Sequence, residues 1–228
     1  MLRRDRPQGT RLEELPEIVP IFPLPNVVLF PHVALPLHIF EPRYREMVRD
    51  AMAGNRLIGM TLLRGEWRKD YNASPQVYPL GCVGRIDEFV LLPDGRSNLV
   101  LRGLRKFEII AEIGDRSYRQ ARVSWAAESD REEITPALDT RLRAGVKRLL
   151  SRGAREMEAD LWERLPTETV KLVNTLAFAL DLSEIDKLAL LECGDVQSRA
   201  ERLVEAIEFC LAERRLGRSE RRDDEPRH

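Results

Sequence analysis

No Gly-Lys pair occurs anywhere in the 228-residue chain. The GxxxxGK[ST] loop, which cradles phosphates with backbone N–H groups and a lysine, is therefore missing, and P-loop nucleotide hydrolysis is excluded. There is no GxGxxG: Gly81-Cys82-Val83-Gly84 lacks the third glycine and does not lead into a helix. There is no GxSxG elbow to hold a nucleophilic serine. Cysteines number three (Cys82, Cys193 and Cys210), with no CxxC spacing, which fits small buried residues in a reducing compartment and not a disulfide framework. Histidines also number three. His32 and His38 are six apart and His228 is terminal, so no metal-ligand spacing emerges and no metal or cofactor is expected. No apolar run approaches the ~20 residues of a membrane helix. The polar start MLRRDRPQGTRLEEL has no apolar signal core, so the expected location is the cytoplasm.

An excess of charge of either sign is also lacking. The 37 basic and 38 acidic residues leave a net charge of −1, which argues against a general grip on nucleic acid. Lysine is scarce, at five residues, so arginine supplies most of the cations. A 43% hydrophobic content is enough for a sizeable core.

What the chain does have is Ile21 to Tyr44, IFPLPNVVLFPHVALPLHIFEPRY. Pro23, Pro25, Pro31, Pro36 and Pro42 punctuate short apolar runs. Proline lacks the N–H of a central strand, so each marks a strand start, an edge or a turn. Pro42 suits the first turn of a helix whose face is Tyr44, Met47, Val48 and Ala51, ended by Gly54-Asn55. Leu57 to Leu63 reads as a buried strand, and Arg64 to Pro75 as a polar loop carrying Trp67. Tyr78 to Ile86 and its continuation to Leu92 read as strand. Pro93-Asp94-Gly95-Arg96 is a hairpin turn: proline fixes φ, aspartate bonds its own backbone, and glycine takes positive φ. Ser97 to Gly103, Leu104 to Ile110 and Tyr118 to Trp125 follow as further strands.

After the charge run Glu128 to Glu133 the period becomes helical. One stripe is Leu138, Leu142, Val146 and Leu149-Leu150. A second holds Met157, Leu161, Trp162 and Leu165, and Pro166 breaks the pattern. Thr167 is the expected cap of a helix carrying Val170, Leu172-Val173 and Leu176-Ala177. Ser183 with Asp186 resembles a capping box, and Asp195 caps the last helix. The expected architecture is α+β. A flexible start covers 1–17, a β domain 18–126, a linker 127–133, a helical bundle 134–215 and a disordered tail 216–228.

Asp87-Glu88 fails as a catalytic carboxylate pair, because adjacent strand residues face opposite sides. Arg102, Arg105 and Lys106, beside Phe107, mix cations with an aromatic and could meet RNA; a solvated strand is the plainer reading.

The landmarks IFPLPNVVLFPHVALPLHIFEPRY, RLIGMTLLRGEW, YPLGCVGRIDEF, LPDGRSNLVLRGLRKFEI and YRQARVSW, in that order and followed by a helical part, resemble the substrate-binding N-terminal domain of the ATP-dependent protease Lon. The resemblance is greatest to stand-alone bacterial proteins made of this domain alone, and it covers residues 18–212. It implies a PUA-like β pseudo-barrel followed by a helical bundle, and no catalytic residues to carry over. The ATPase and Ser-Lys peptidase modules of Lon would follow this region, so the expectation is a non-enzyme without cofactors. It would hold unfolded or tagged protein clients, alone or with a full-length Lon or another ATP-dependent protease. Phe30, His32, Phe40, Tyr44 and Trp67 are the candidate contacts, with Phe40 and Tyr44 expected to be claimed by the core. The alternative is an RNA-binding adaptor using Arg102, Arg105 and Lys106.

Overall fold

A computed structural model describes residues 15–68, 74–127, 133–150 and 165–223. Six strands come first: β1 (Ile18–Leu24), β2 (Ala34–Ile39), β3 (Leu57–Leu63), β4 (Val77–Leu91), β5 (Ser97–Ile113) and β6 (Gln120–Trp125). Helix α1 (Pro42–Ala53) lies between β2 and β3. Four helices follow the sheet: α2 (Pro136–Leu150), α3 (Thr169–Ala179), α4 (Glu184–Glu192) and α5 (Val196–Asp223). The α+β class expected from the sequence is the one observed. No helix among the described residues is long and apolar enough to cross a membrane.

The sheet order is β2-β5-β4-β3-β1-β6, and β6 also pairs with β5. Strands β1, β3, β4, β5 and β6 therefore close into a ring, with β1–β3 parallel and the other pairs antiparallel. Closure is possible because β5 is 17 residues long. Its second half pairs with β6, while its first half projects beyond the ring between β4 and β2. The two strands expected on either side of Gly103 are thus one continuous strand.

Three prolines of the opening stretch, and Pro20 just before it, have a backbone reason. Strand β1 pairs with β6 only through Ile18–Pro20 and with β3 only from Ile21 onward. The Ile21 N–H donates to the Arg119 carbonyl, so Pro23 turns its nitrogen toward β6 where that ladder has run out, and Pro20 toward β3 before its ladder begins. In β2 the Val33 carbonyl accepts from Gly103 N–H, which turns the backbone of Pro36, an odd number of residues on, to the free edge. There the missing N–H costs no ladder bond and blunts the edge. Pro42 occupies the first turn of α1.

Inside the ring, Val19, Ile21, Leu57, Val83, Phe107, Ala121 and Val123 form one small core. Phe107 has room because Gly59 and Gly81 face it: a Cβ on Gly81 would lie 2.6 Å from its ring. The larger core starts on the outer face of the sheet, takes in Tyr44, Met47, Val48 and Ala51 of α1, and runs unbroken into Leu142, Leu172, Leu191 and Leu203 of the helices.

Polar groups cross the same boundary. Buried Lys106 donates from Nζ to the Cys193 carbonyl at 2.6 Å, and Asn174 Nδ2 donates to the Pro31 carbonyl at 3.0 Å. Arg199, also buried, donates to Asn174 Oδ1 at 2.8 Å and to the Leu190 and Cys193 carbonyls. These carbonyls close α4, where the helix dipole favours a cation.

The helix signals were good guides with two exceptions. Ser183 caps α4 by accepting from Asp186 N–H at 3.1 Å, and Asp195 Oδ1 accepts from Ser198 N–H at 2.8 Å. The residue before α3 is Glu168, not Thr167, and its side chain makes no cap bond. Helix α5 continues to Asp223, through the segment expected to be disordered from 216, because that segment is rich in helix formers and extends a helix already nucleated. The stripe at Met157, Leu161 and Trp162, and most of the expected linker, lie outside the described residues.

Candidate protein-binding surface

The part of the molecule that stands out from the ring is the β4–β5 hairpin with β2 on its flank. Its turn has the expected chemistry. Gly95 takes φ +81, Asp94 Oδ1 accepts from Arg96 N–H at 3.0 Å, and Leu92 N–H bonds to the Arg96 carbonyl at 2.8 Å. Asp94 also pairs with Arg96 through its side chain, which holds the carboxyl below its usual range.

Register aligns the three strands in rows: Pro36–Val100–Glu88, Leu37–Leu99–Phe89, His38–Asn98–Val90 and Ile39–Ser97–Leu91. Alternate rows face opposite sides. The outer side presents Pro36, His38, Val90 and Val100 around a depression of about 350 Å³. His38 Nδ1 lies 2.6 Å from Asn98 Oδ1, and its ring stacks on Phe40 with centroids 6.2 Å apart. The inner side faces α1 across a groove of about 690 Å³, with Val48, Met52, Phe89 and Leu91 among its walls.

Three large apolar residues stand open here, Phe40 at 59% exposed, Val90 at 58% and Leu91 at 66%, whereas Ile18, Ile110, Ile185 and Phe209 are exposed singly elsewhere. Phe89-Val90-Leu91 is a run of consecutive apolar residues on a projecting strand. A strand that needs only one buried face alternates, and a run that leaves apolar residues open on both faces is a mark of binding surface.

Of the five residues expected to meet a partner, two are inside. Phe30 is fully buried, since the turn that follows it is clamped onto Gly103, and Tyr44 packs on Phe22 at 4.3 Å between centroids. His32 is exposed with φ 68 in that turn. Phe40 lies outside, contrary to the core position expected for it, because it follows the outward phase Pro36, His38, Phe40 of β2. Trp67 is half-buried under Arg68, 4.8 Å from ring centroid to guanidinium, and lies away from the hairpin rows. The sequence reading missed Val90, Leu91 and Met52; the unalternating FVLL before the turn was the available signal.

The three cations weighed for RNA do not converge. Arg102 pairs with Asp87, half-buried Arg105 donates to the Ala126 carbonyl at 3.3 Å, and Lys106 is buried against Cys193. Lys106 is therefore removed from any RNA surface, because strand alternation turns it from the solvent onto the helices.

Comparison with known proteins agrees with this architecture. A family model described as the ATP-dependent protease La (LON) substrate-binding domain matches residues 18–208. Lon protease of Cytophaga hutchinsonii is 26% identical over 200 residues, which is 86% of this chain and 24% of that protein. Lon protease of Flavobacterium johnsoniae is 28% identical over 192 residues, covering 82% of this chain and 23% of that one. The chain thus spans about a quarter of the length of these relatives. Among solved structures, a Lon N-terminal domain protein from Xanthomonas campestris superposes with a TM-score of 0.61 at 27% identity, over 82% of this chain and 97% of its own. The N-terminal domain of a Mycobacterium avium complex Lon protease shares the fold, with a TM-score of 0.63 at 21% identity, over 84% and 98%.

Proposed function

Because the chain belongs to the family of ATP-dependent protease La (Lon) substrate-binding domains, we propose that it is a non-catalytic module that binds exposed apolar segments of client proteins through the β4–β5 hairpin. The observation that carries this reading is the exposed pair Val90-Leu91 beside half-buried Phe89, with Phe40 exposed just past the neighbouring strand and the α1 groove beneath. Aliphatic and aromatic side chains held on a rigid hairpin supply non-directional attraction, which suits clients that share hydrophobicity and not sequence. Recognition is the contribution of this domain. Unfolding and cleavage belong to modules of the Lon type, with which it would work in the cytoplasm.

The test is fluorescence anisotropy with a labelled, permanently unfolded model protein. The native chain is expected to bind saturably, and Val90→Asp with Leu91→Asp to weaken binding about tenfold, the scale of losing one buried aliphatic contact. Both positions are exposed, so stability should change by no more than about 0.5 kcal/mol. Binding no stronger than to an inert protein, or a double variant that binds as the native chain does, would count decisively against the proposal.

A further inference from the structure

The groove between α1 and the hairpin is apolar on its floor but not neutral at its rim. Val48, Met52, Phe89 and Leu91 line it, with Pro42 at one end. Its ionisable lining residues are Arg45, Glu46 and Arg49. Glu46 is occupied: Oε2 accepts from Ser117 Oγ at 2.7 Å, and Oε1 lies 3.8 Å from Arg49. Arg49 divides its guanidinium between Glu46 and Asp50, at 3.4 Å from the latter.

Arg45 differs from both. Among the described residues it has no carboxylate partner. The hairpin's own turn carboxylate, Asp94, is taken by Arg96 at 2.6 Å. The position of Arg45 is instead set by shape. A Cβ on Gly95 would lie 2.0 Å from Arg45 Nη2, so the guanidinium rests on the bare face of that glycine. The side chain thereby spans from α1 to the hairpin turn, at the edge of the apolar cavity.

An arginine held across a groove mouth without a counter-charge is a pre-positioned donor for a carboxylate. Its planar fork can donate bidentately to one, and its packing on Gly95 places it at the groove mouth before the ligand arrives. We propose that this groove selects client segments in which an acidic residue adjoins the apolar anchor, with Arg45 as the side chain that reads the charge. This rests on the protein-binding reading above and specifies its substrate chemistry. An apolar side chain enters between Met52 and Leu91, and the neighbouring aspartate or glutamate meets Arg45, with Arg49 adding to the field. A polypeptide is the fitting occupant, because a phosphate backbone would leave the apolar floor unused.

The experiment uses the full chain and three labelled unstructured peptides that share one leucine-rich core. The core is flanked by Asp-Glu, by Asn-Gln or by Lys-Arg, and binding is measured by anisotropy at low ionic strength. The acid-flanked peptide is expected to bind about threefold or more tightly than the neutral one, with the basic one weakest, and the spread to shrink in salt. Arg45→Glu should reverse the order without shifting the melting temperature. Gly95→Asn keeps a residue tolerant of positive φ but adds a Cβ under the guanidinium, and should erase the preference. Equal binding of the three peptides, or an order unchanged in Arg45→Glu, overturns the charge selection alone and leaves the binding module standing. Displacement of the acid-flanked peptide by inorganic phosphate or single-stranded RNA at comparable concentration overturns it too, in favour of a general anion site. Failure of all three peptides to bind removes the broader reading as well.

Discussion

Arg199 Nη1 donates to Asn174 Oδ1 at 2.8 Å, and both side chains are buried between the helices and the β ring. Asn174 passes the connection on to the Pro31 carbonyl, and Arg199 to the carbonyls at the end of α4. Asn174→Leu would leave the Pro31 carbonyl unpaired and remove one acceptor from the guanidinium. The expected loss is about 2–4 kcal/mol, read as a lower urea midpoint at unchanged slope. Arg199→Met in the same background should then cost less than it does alone, since the two act as one network. Strict additivity would show the two groups to be independent.

Gly103 lies where the turn after Phe30 crosses β5. A Cβ there would sit 2.0 Å from the Phe30 carbonyl oxygen, an obstacle made of backbone that cannot swing aside. Gly103→Ala is expected to lower stability by about 2 kcal/mol or more. Gly114→Ala is the control, because nothing lies within 4 Å of its Cβ position, and it should be close to neutral. Differential scanning calorimetry of the pair checks the contrast, and equal melting temperatures would refute it.

The Tyr118 phenol is pushed above its ordinary 10.0, first by burial and then by its hydrogen bond to Asp50. A group whose folded pKa is raised contributes stability that is complete below the unfolded pKa and is lost as pH climbs toward the folded one. Unfolding free energy should therefore fall more steeply with pH above about 10 in the native chain than in Tyr118→Phe. Parallel pH profiles of the two proteins in that range would disprove the assignment.

The local features of the fold were legible in the sequence because their causes are local. Pro-Asp-Gly carries its own turn geometry, Ser183 and Asp195 cap helices a few residues away, and Pro42 needs only a helix start. The family could be named from the order of such landmarks. What was not legible depends on the third dimension. Gly103 reads as a break between strands, yet it is the place where a crossing turn presses onto one unbroken strand. Lys106 reads as a surface cation until α4 presents a helix end to it. Phe40 reads as core because its neighbours are core, but it continues the alternation of β2 one residue past the strand's end, which sends it out. The candidate surface was half visible: FVLL could be seen not to alternate, whereas the α1 wall of its groove and the bare Gly95 under Arg45 exist only after folding.

Strand β5 belongs to the projecting hairpin in its first half and to the closed ring in its second. A tug on the hairpin tip is therefore delivered lengthwise into the ring. It meets the antiparallel ladders from β5 to β6 and from β4 to β3 side-on, so that many perpendicular hydrogen bonds resist together instead of opening one after another like a zipper. The surface that would hold a client is, by this wiring, anchored to stay folded while the client is pulled.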